Sequence, residues 1–224
     1  MASDYSKYCS DHLREWNPEI KASHARELVA AFFGYKSHAA LLAEKKYDID
    51  YVDIAAVIIP DYDTIDERRR CLNGLPESIP DSHTLVDGLL QYLRDSDMFT
   101  GEVWDHDDLA EFMIKTYLPD RLESFDFEDE LKDEFSQANG VFWFVEYESA
   151  DVEENDKHVN ITVSGVCYLS QDKDDKPFGG DTIDLEVIVE LQRVAGRIAF
   201  EEPEITITET VNAEGLEEMA VTLS

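Results

Sequence analysis

Little in this sequence marks a familiar chemistry. Its 224 residues include three cysteines, Cys9, Cys71 and Cys167, widely spaced and odd in number. That excludes a disulfide framework and a CxxC metal site, and fits thiols kept reduced. Long apolar runs are missing as well: Ile54–Ile59 and Val141–Val145 fall far short of the roughly 20 residues a membrane span needs. The first thirty residues hold no apolar core flanked by positive charge, so the expected compartment is the cytoplasm. Basic residues are scarce, 19 Lys and Arg against 51 Asp and Glu for a formal net charge of -32. A chain so acidic is not expected to bind nucleic acid or anionic membrane directly, because both need cationic side chains to neutralise phosphate. No HExxH, P-loop, GxGxxG after a strand or GxSxG elbow occurs, and no catalytic, cofactor-binding or metal-ligating residue is assigned.

A folded body is nonetheless expected. Hydrophobic residues make up 43% and aromatics 11% of the chain, too much for a disordered acidic tail. Charge divides it unevenly. Residues 1–46 carry seven basic and six acidic side chains, a net of +1, which leaves 12 basic against 45 acidic and a net of -33 for 47–224. In the first segment Ser23 is read as the N-cap of a helix to Phe33, with Leu28, Phe32 and Tyr35 on one stripe. Gly34 then supplies the left-handed residue that ends it, and Ser37 caps a second helix bearing Leu41 and Leu42.

From 47 to 140 the periodicity stays helical, punctuated by Pro60, Pro76, Pro80 and Pro119. Asp61 or Asp63, Asp81 or Ser82, and Asp105 are the expected helix starts; Ile58–Ile59 reads as a strand or a buried turn. After Asn139-Gly140 the period changes to two: Val141–Tyr147 reads as a buried strand, Val159–Leu169 and Ile183–Leu191 alternate apolar with polar residues, and Arg197–Phe200 and Ile205–Val211 add two shorter strands. The expected fold class is α+β: an N-terminal helical region followed by a C-terminal antiparallel β-meander of four to five strands. Residues 1–46 form a near-neutral module, 47–140 an acidic helical region and 141–224 an acidic sheet region, with 47–224 as one domain.

The six histidines, His12, His24, His38, His83, His106 and His158, show no ligand spacing, and His24 and His38 are read as capping or packing groups. Arg68-Arg69-Arg70 is assigned to pairing with nearby carboxylates. The loop containing Asp172, Asp174, Asp175 and Asp181 lacks EF-hand spacing and is read as a solvated connection.

The acidic excess asks for a reason. Between Asp120 and Asp156 there are 14 Asp and Glu against Arg121 and Lys132, whereas solubility needs a net charge of only about 2–8 in a small domain. Halophilic adaptation fits poorly with the ordinary numbers of Phe, Tyr, Trp and Leu. A globule of this length is about 45 Å across, and duplex DNA of that length carries about 26 phosphates. The protein's charge is of the same order. The expected partner-binding residues are Asp126, Glu128, Asp129, Glu130, Asp133 and Glu134 on an acidic helix, with Asp184, Glu186 and Glu190 on the outer face of a strand.

The run Ser23-His24-Ala25-Arg26-Glu27-Leu28 through Gly34-Tyr35-Lys36-Ser37-His38 to Leu41-Leu42 resembles a short helical module. That module is found at the N-terminus of some glyoxalase-related proteins and in bacterial proteins of plasmids and integrative elements. The resemblance implies a bacterial mobile-element origin more than an activity. Glyoxalases use paired βαβββ modules with His and Glu metal ligands, whereas the strand region here holds one histidine, His158. The expected function is therefore non-enzymatic and cofactor-free. It is binding and inhibition of a basic, nucleic-acid-binding protein by DNA mimicry, in an anti-defence setting. The alternatives are an adaptor docking through the N-terminal module, and a carboxylate-metal hydrolase.

Overall fold

A computed structural model describes residues 4–105, 108–123, 141–170 and 182–212. In chain order the elements are α1 (Asp4–Trp16), α2 (Ala22–Phe32), α3 (His38–Ala43), a 3-10 helix (Ile49–Ile54), β1 (Val57–Ile58), α4 (Tyr62–Cys71), α5 (Ser82–Asp95) and β2 (Glu102–Val103). There follow α6 (Leu109–Phe112), a π-helical turn (Met113–Tyr117), α7 (Leu118–Glu123), β3 (Val141–Glu154), β4 (His158–Ser170), β5 (Thr182–Ala195), β6 (Ala199–Phe200) and β7 (Glu204–Asn212). The α+β class holds, with helices first and strands last. The sheet is larger than a meander and mixed, because β1 pairs with β2 in parallel and with β6 antiparallel. Two-residue strands such as these carry too little alternation to be read from sequence.

The chain divides into two compact units, and they do not follow the charge step at residue 46. The first comprises Met1–Asp105, Asn155–Val159 and Leu191–Pro203; the second comprises His106–Glu154, Asn160–Glu190 and Glu204–Ser224. In the first unit, Cys9 and Leu13 of α1, Leu28, Val29, Phe32 and Phe33 around α2, Leu85, Leu89 and Leu93 of α5, and Ile198–Ala199 share one buried cluster. The N-terminal module is thus part of a larger core. Helix α1 escapes the hydrophobic pattern because Ser6 and Ser10 occupy its buried face beside Cys9 and Leu13, with Ser10 Oγ donating to the Ser6 carbonyl at 2.7 Å.

Local chemistry explains the helix boundaries. Ser37, Asp61, Asp81 and Asp108 each accept the backbone N–H three residues on, from Ala40, Thr64, Thr84 and Glu111 at 3.1, 2.9, 2.8 and 3.0 Å. Two expected caps are corrected. Helix α2 begins at Ala22, with Lys21 at the cap position, because Ala25 N–H already reaches the Lys21 carbonyl; Ser23 lies in the first turn. Asp105 does not start a helix either, since Trp104 N–H is held by the Ile58 carbonyl; Asp105 instead accepts the Tyr62 hydroxyl at 2.6 Å.

The end of α2 is a Schellman turn. Gly34 has φ +79°, Tyr35 N–H returns to the Ala30 carbonyl and Gly34 N–H to that of Ala31, both at 2.9 Å. Arg197 N–H caps the Phe33 carbonyl at 2.9 Å. This close approach needs glycine, since a Cβ at Gly34 would stand 2.5 Å from the Arg197 Cβ. The guanidinium of Arg197 then ties the unit together, reaching Glu44 at 3.3 Å and Asp156 at 3.0 Å. Burial alone would raise the Glu44 carboxyl, but backbone N–H groups of Lys46, Lys45 and Tyr47, together with Arg197, hold it below the usual carboxylate range.

In the second unit β4 lies between β3 and β5, and β7 pairs with β5 antiparallel from Thr182↔Asn212 to Glu190↔Glu204. Helix α6 and the π-helical turn lie against β3. Met113 and Leu118 are fully buried. The expected amphipathic continuation through Phe125 and Phe135 lies outside the described residues.

Candidate functional site

Strict alternation builds the most distinctive surface of the second unit. In β5, Ile183, Leu185, Val187 and Val189 are buried, while Asp184 and Glu186 are exposed and Glu190 is half-buried. In β4, Ile161, Val163 and Cys167 are buried, so Asn160, Thr162, Ser164, Val166 and Tyr168 take the other face. The even-numbered residues of β3 share that face, because Phe144 stacks on Tyr168 with ring centroids 4.7 Å apart and the Tyr168 hydroxyl donates to Glu146 at 3.2 Å. Register places Glu204 of β7 directly across from Glu190.

The result is one sheet face bearing Glu146 and Glu148 on β3, Asp184, Glu186 and Glu190 on β5, and Glu204 on β7. No lysine or arginine occupies that face among the described residues. Alternate residues on a strand stand about 6.7 Å apart and neighbouring strands about 4.8 Å. Both distances lie within the Debye length of about 8 Å at physiological ionic strength. Carboxylates along one strand, and Glu190 with Glu204 on its neighbour, therefore feel one another, while the β3 and β5 rows, two strand spacings or about 9.6 Å apart, are coupled more weakly. The Tyr168 phenol registers the field: it is pushed above its ordinary value by its hydrogen bond to Glu146 first, then by the charge of Glu146 and, more weakly, that of Glu148. The two outer rows flank the uncharged strip of β4, so fixed negative charge borders neutral hydrogen-bonding groups.

Of the residues expected from sequence, Asp184, Glu186 and Glu190 are brought together here. Asp126, Glu128, Asp129, Glu130, Asp133 and Glu134 lie outside the described residues, as does the loop containing Asp172, Asp174, Asp175 and Asp181. Glu146, Glu148 and Glu204 join the surface without having been singled out. The expectation of a buried strand over Val141–Tyr147 is corrected here, because Phe144 and Glu146 are exposed; Glu148 lies just beyond that segment, and Glu204 needs the β5–β7 register.

Compared with known protein families, with curated proteins and with solved structures, the chain matches none.

Elsewhere the titratable groups serve packing. His12 stacks on Tyr92 and His83 on Tyr62, each with centroids 4.1 Å apart. The His38 backbone N–H donates to Glu27, which also pairs with Arg68 at 2.6 Å; Arg69 pairs with Asp66 at 3.6 Å. His24 is buried within α2. Burial pushes the Cys9 and Cys167 thiols up to about 12, which makes both poor nucleophiles at neutral pH. Among the described residues no three His, Cys, Asp or Glu side chains converge as metal ligands, and no helix is long and apolar enough to cross a membrane. A cleft of about 90 Å³ beside Leu41, Tyr47 and Ile49 is well below the roughly 300 Å³ of a small-molecule pocket.

Proposed function

We propose that this chain is a non-enzymatic, cytoplasmic interaction protein that binds and blocks a basic, nucleic-acid-binding protein by presenting a polyanion surface in place of DNA. The observation that carries this reading is that Glu146, Glu148, Asp184, Glu186, Glu190 and Glu204, six carboxylates of three strands, share one sheet face. Carboxylates fixed on strands meet a cationic cleft without the ordering cost of a flexible tail, and their summed field accelerates encounter. The resemblance of the Ser23–Leu42 segment to modules of bacterial mobile elements supports a host defence or restriction enzyme as the blocked partner. The adaptor alternative has less to work with, because Leu28, Phe32, Phe33 and Leu41 are occupied in the first unit's own core.

The test is charge placement at constant net charge. One variant carries Glu146→Gln, Glu148→Gln, Asp184→Asn and Glu186→Gln; a second removes four exposed carboxylates of the first unit through Glu15→Gln, Glu67→Gln, Glu77→Gln and Asp87→Asn. Affinity is measured against purified nucleic-acid-binding enzymes in competition with duplex DNA. The sheet-face variant is expected to lose at least about tenfold, the equivalent of 1.4 kcal/mol, and the other variant about twofold. Equal losses, or binding indifferent to salt, would overturn the reading.

A further inference from the structure

The 3-10 helix Ile49–Ile54 presents three ridges, because side chains at i and i+3 eclipse in this geometry. Ile49 and Val52 form the first and are buried. Asp50 and Asp53 form the second and face α1. Asp50 Oδ1 accepts the Tyr5 backbone N–H at 3.2 Å, and the Tyr5 phenol is pushed above its ordinary value by burial first, then by the charges of Asp53 and Asp50. Tyr51 and Ile54 form the third ridge and stand in solvent at 57% and 63% exposure, the highest of any large apolar side chains among the described residues. Tyr8, one turn along α1 from Tyr5, is 44% exposed.

A single exposed apolar side chain needs no explanation. An eclipsed aromatic–aliphatic pair alongside a carboxylate ridge is a different object, since it joins an apolar anchor to a charge of defined sign. We propose that this surface is a second docking site, for a cationic amphipathic segment of the partner whose apolar side chains cover Tyr51 and Ile54 while its Arg or Lys side chains meet Asp50 and Asp53. Charge complementarity selects this occupant over a second copy of the chain. A two-fold interface on this patch would set Asp50 and Asp53 of one protomer close to the same residues of the other, with -32 on each chain. Aromatic anchors rimmed by charge are the usual form of an interface hot spot. The inference rests on the reading that the partner is basic, but it uses the first unit, not the sheet face.

The experiment uses the full chain and two fluorescent probes: a 14-residue helical peptide of Leu and Arg with one apolar stripe, and a 14-residue lysine homopolymer. Anisotropy titrations compare wild type, the double variant Tyr51→Ser with Ile54→Ser, and the neutralised sheet-face variant. Both substituted side chains are exposed, so circular dichroism should show an unchanged fold. The double variant is expected to lose at least about tenfold in affinity for the amphipathic peptide and nothing for the lysine homopolymer. The sheet-face variant is expected to lose affinity for the homopolymer. Wild-type affinity of the double variant for the amphipathic peptide overturns the docking site. So does a concentration-dependent dimer that the double variant abolishes, which would identify a second copy as the occupant. If the sheet-face variant alone fails to respond, the polyanion reading falls and this site stands.

Discussion

The two units of one chain handle negative charge in opposite ways. The first has 123 residues with 23 acidic and 14 basic side chains, a net of -9; the second has 101 with 28 acidic and five basic, a net of -23. In the first unit carboxylates perform structural tasks. Asp61 and Asp81 cap helices, Glu27 bridges Arg68 and the His38 N–H, and Glu44 gathers a turn together with Arg197. In the second they line the face of a sheet whose opposite side is apolar. In the first unit negative charge is distributed among caps and ion pairs, whereas on the sheet face of the second it is concentrated and like-signed.

That contrast is broken most severely at the helix end in the first unit. Gly34→Ala must place a Cβ at φ +79° and 2.5 Å from the Arg197 Cβ. It should cost about 3 kcal/mol, combining left-handed strain with displacement of the Arg197 turn. Chemical denaturation should show the loss equally at low and high salt, because its origin is steric. A loss that shrank with salt would mean that electrostatics holds this joint.

Glu44→Gln comes next, at about 2 kcal/mol near neutral pH, the scale of hydrogen bonds to a charged group. The Glu44 carboxyl is held below its usual range, so its stabilisation is complete above the unfolded-state value and is lost as pH falls through the lowered folded-state one. Wild type and variant should therefore differ in denaturation at pH 7 and converge in strong acid. A gap that persists in acid would assign the effect to packing.

The parts of this architecture that were legible in the sequence are those set by local rules. Ser37, Asp61 and Asp81 cap where their side chains can reach an N–H three residues on, and Gly34 ends α2 because glycine takes a left-handed φ without the strain of a Cβ. The alternation of Ile183–Leu191 by itself sets Asp184, Glu186 and Glu190 on one face of β5. What could not be read depends on distant pairing. β1 and β2 are two residues each and exist because Phe200 and Ala199 pair with Val57 and Ile58. Glu204 enters the acidic face only through its register opposite Glu190. The division into units was hidden for the same reason, since Leu191–Pro203 returns to a core begun at Cys9.

The smallest effect is the most direct probe of the contrast. Glu190 and Glu204 are opposed across β5 and β7, and like charges in that position destabilise a sheet by about 0.2–1 kcal/mol. Glu204→Lys replaces repulsion with attraction and should stabilise the protein by about 0.5–1 kcal/mol at low salt, a gain that fades as ionic strength shortens the Debye length. The same substitution puts a cation on the proposed binding face, so affinity for a basic partner should fall while stability rises. Opposite signs in the two measurements are what a surface selected for binding at the expense of folding must give. A variant both more stable and unchanged in binding would return Glu190 and Glu204 to the ordinary class of solvated strand residues.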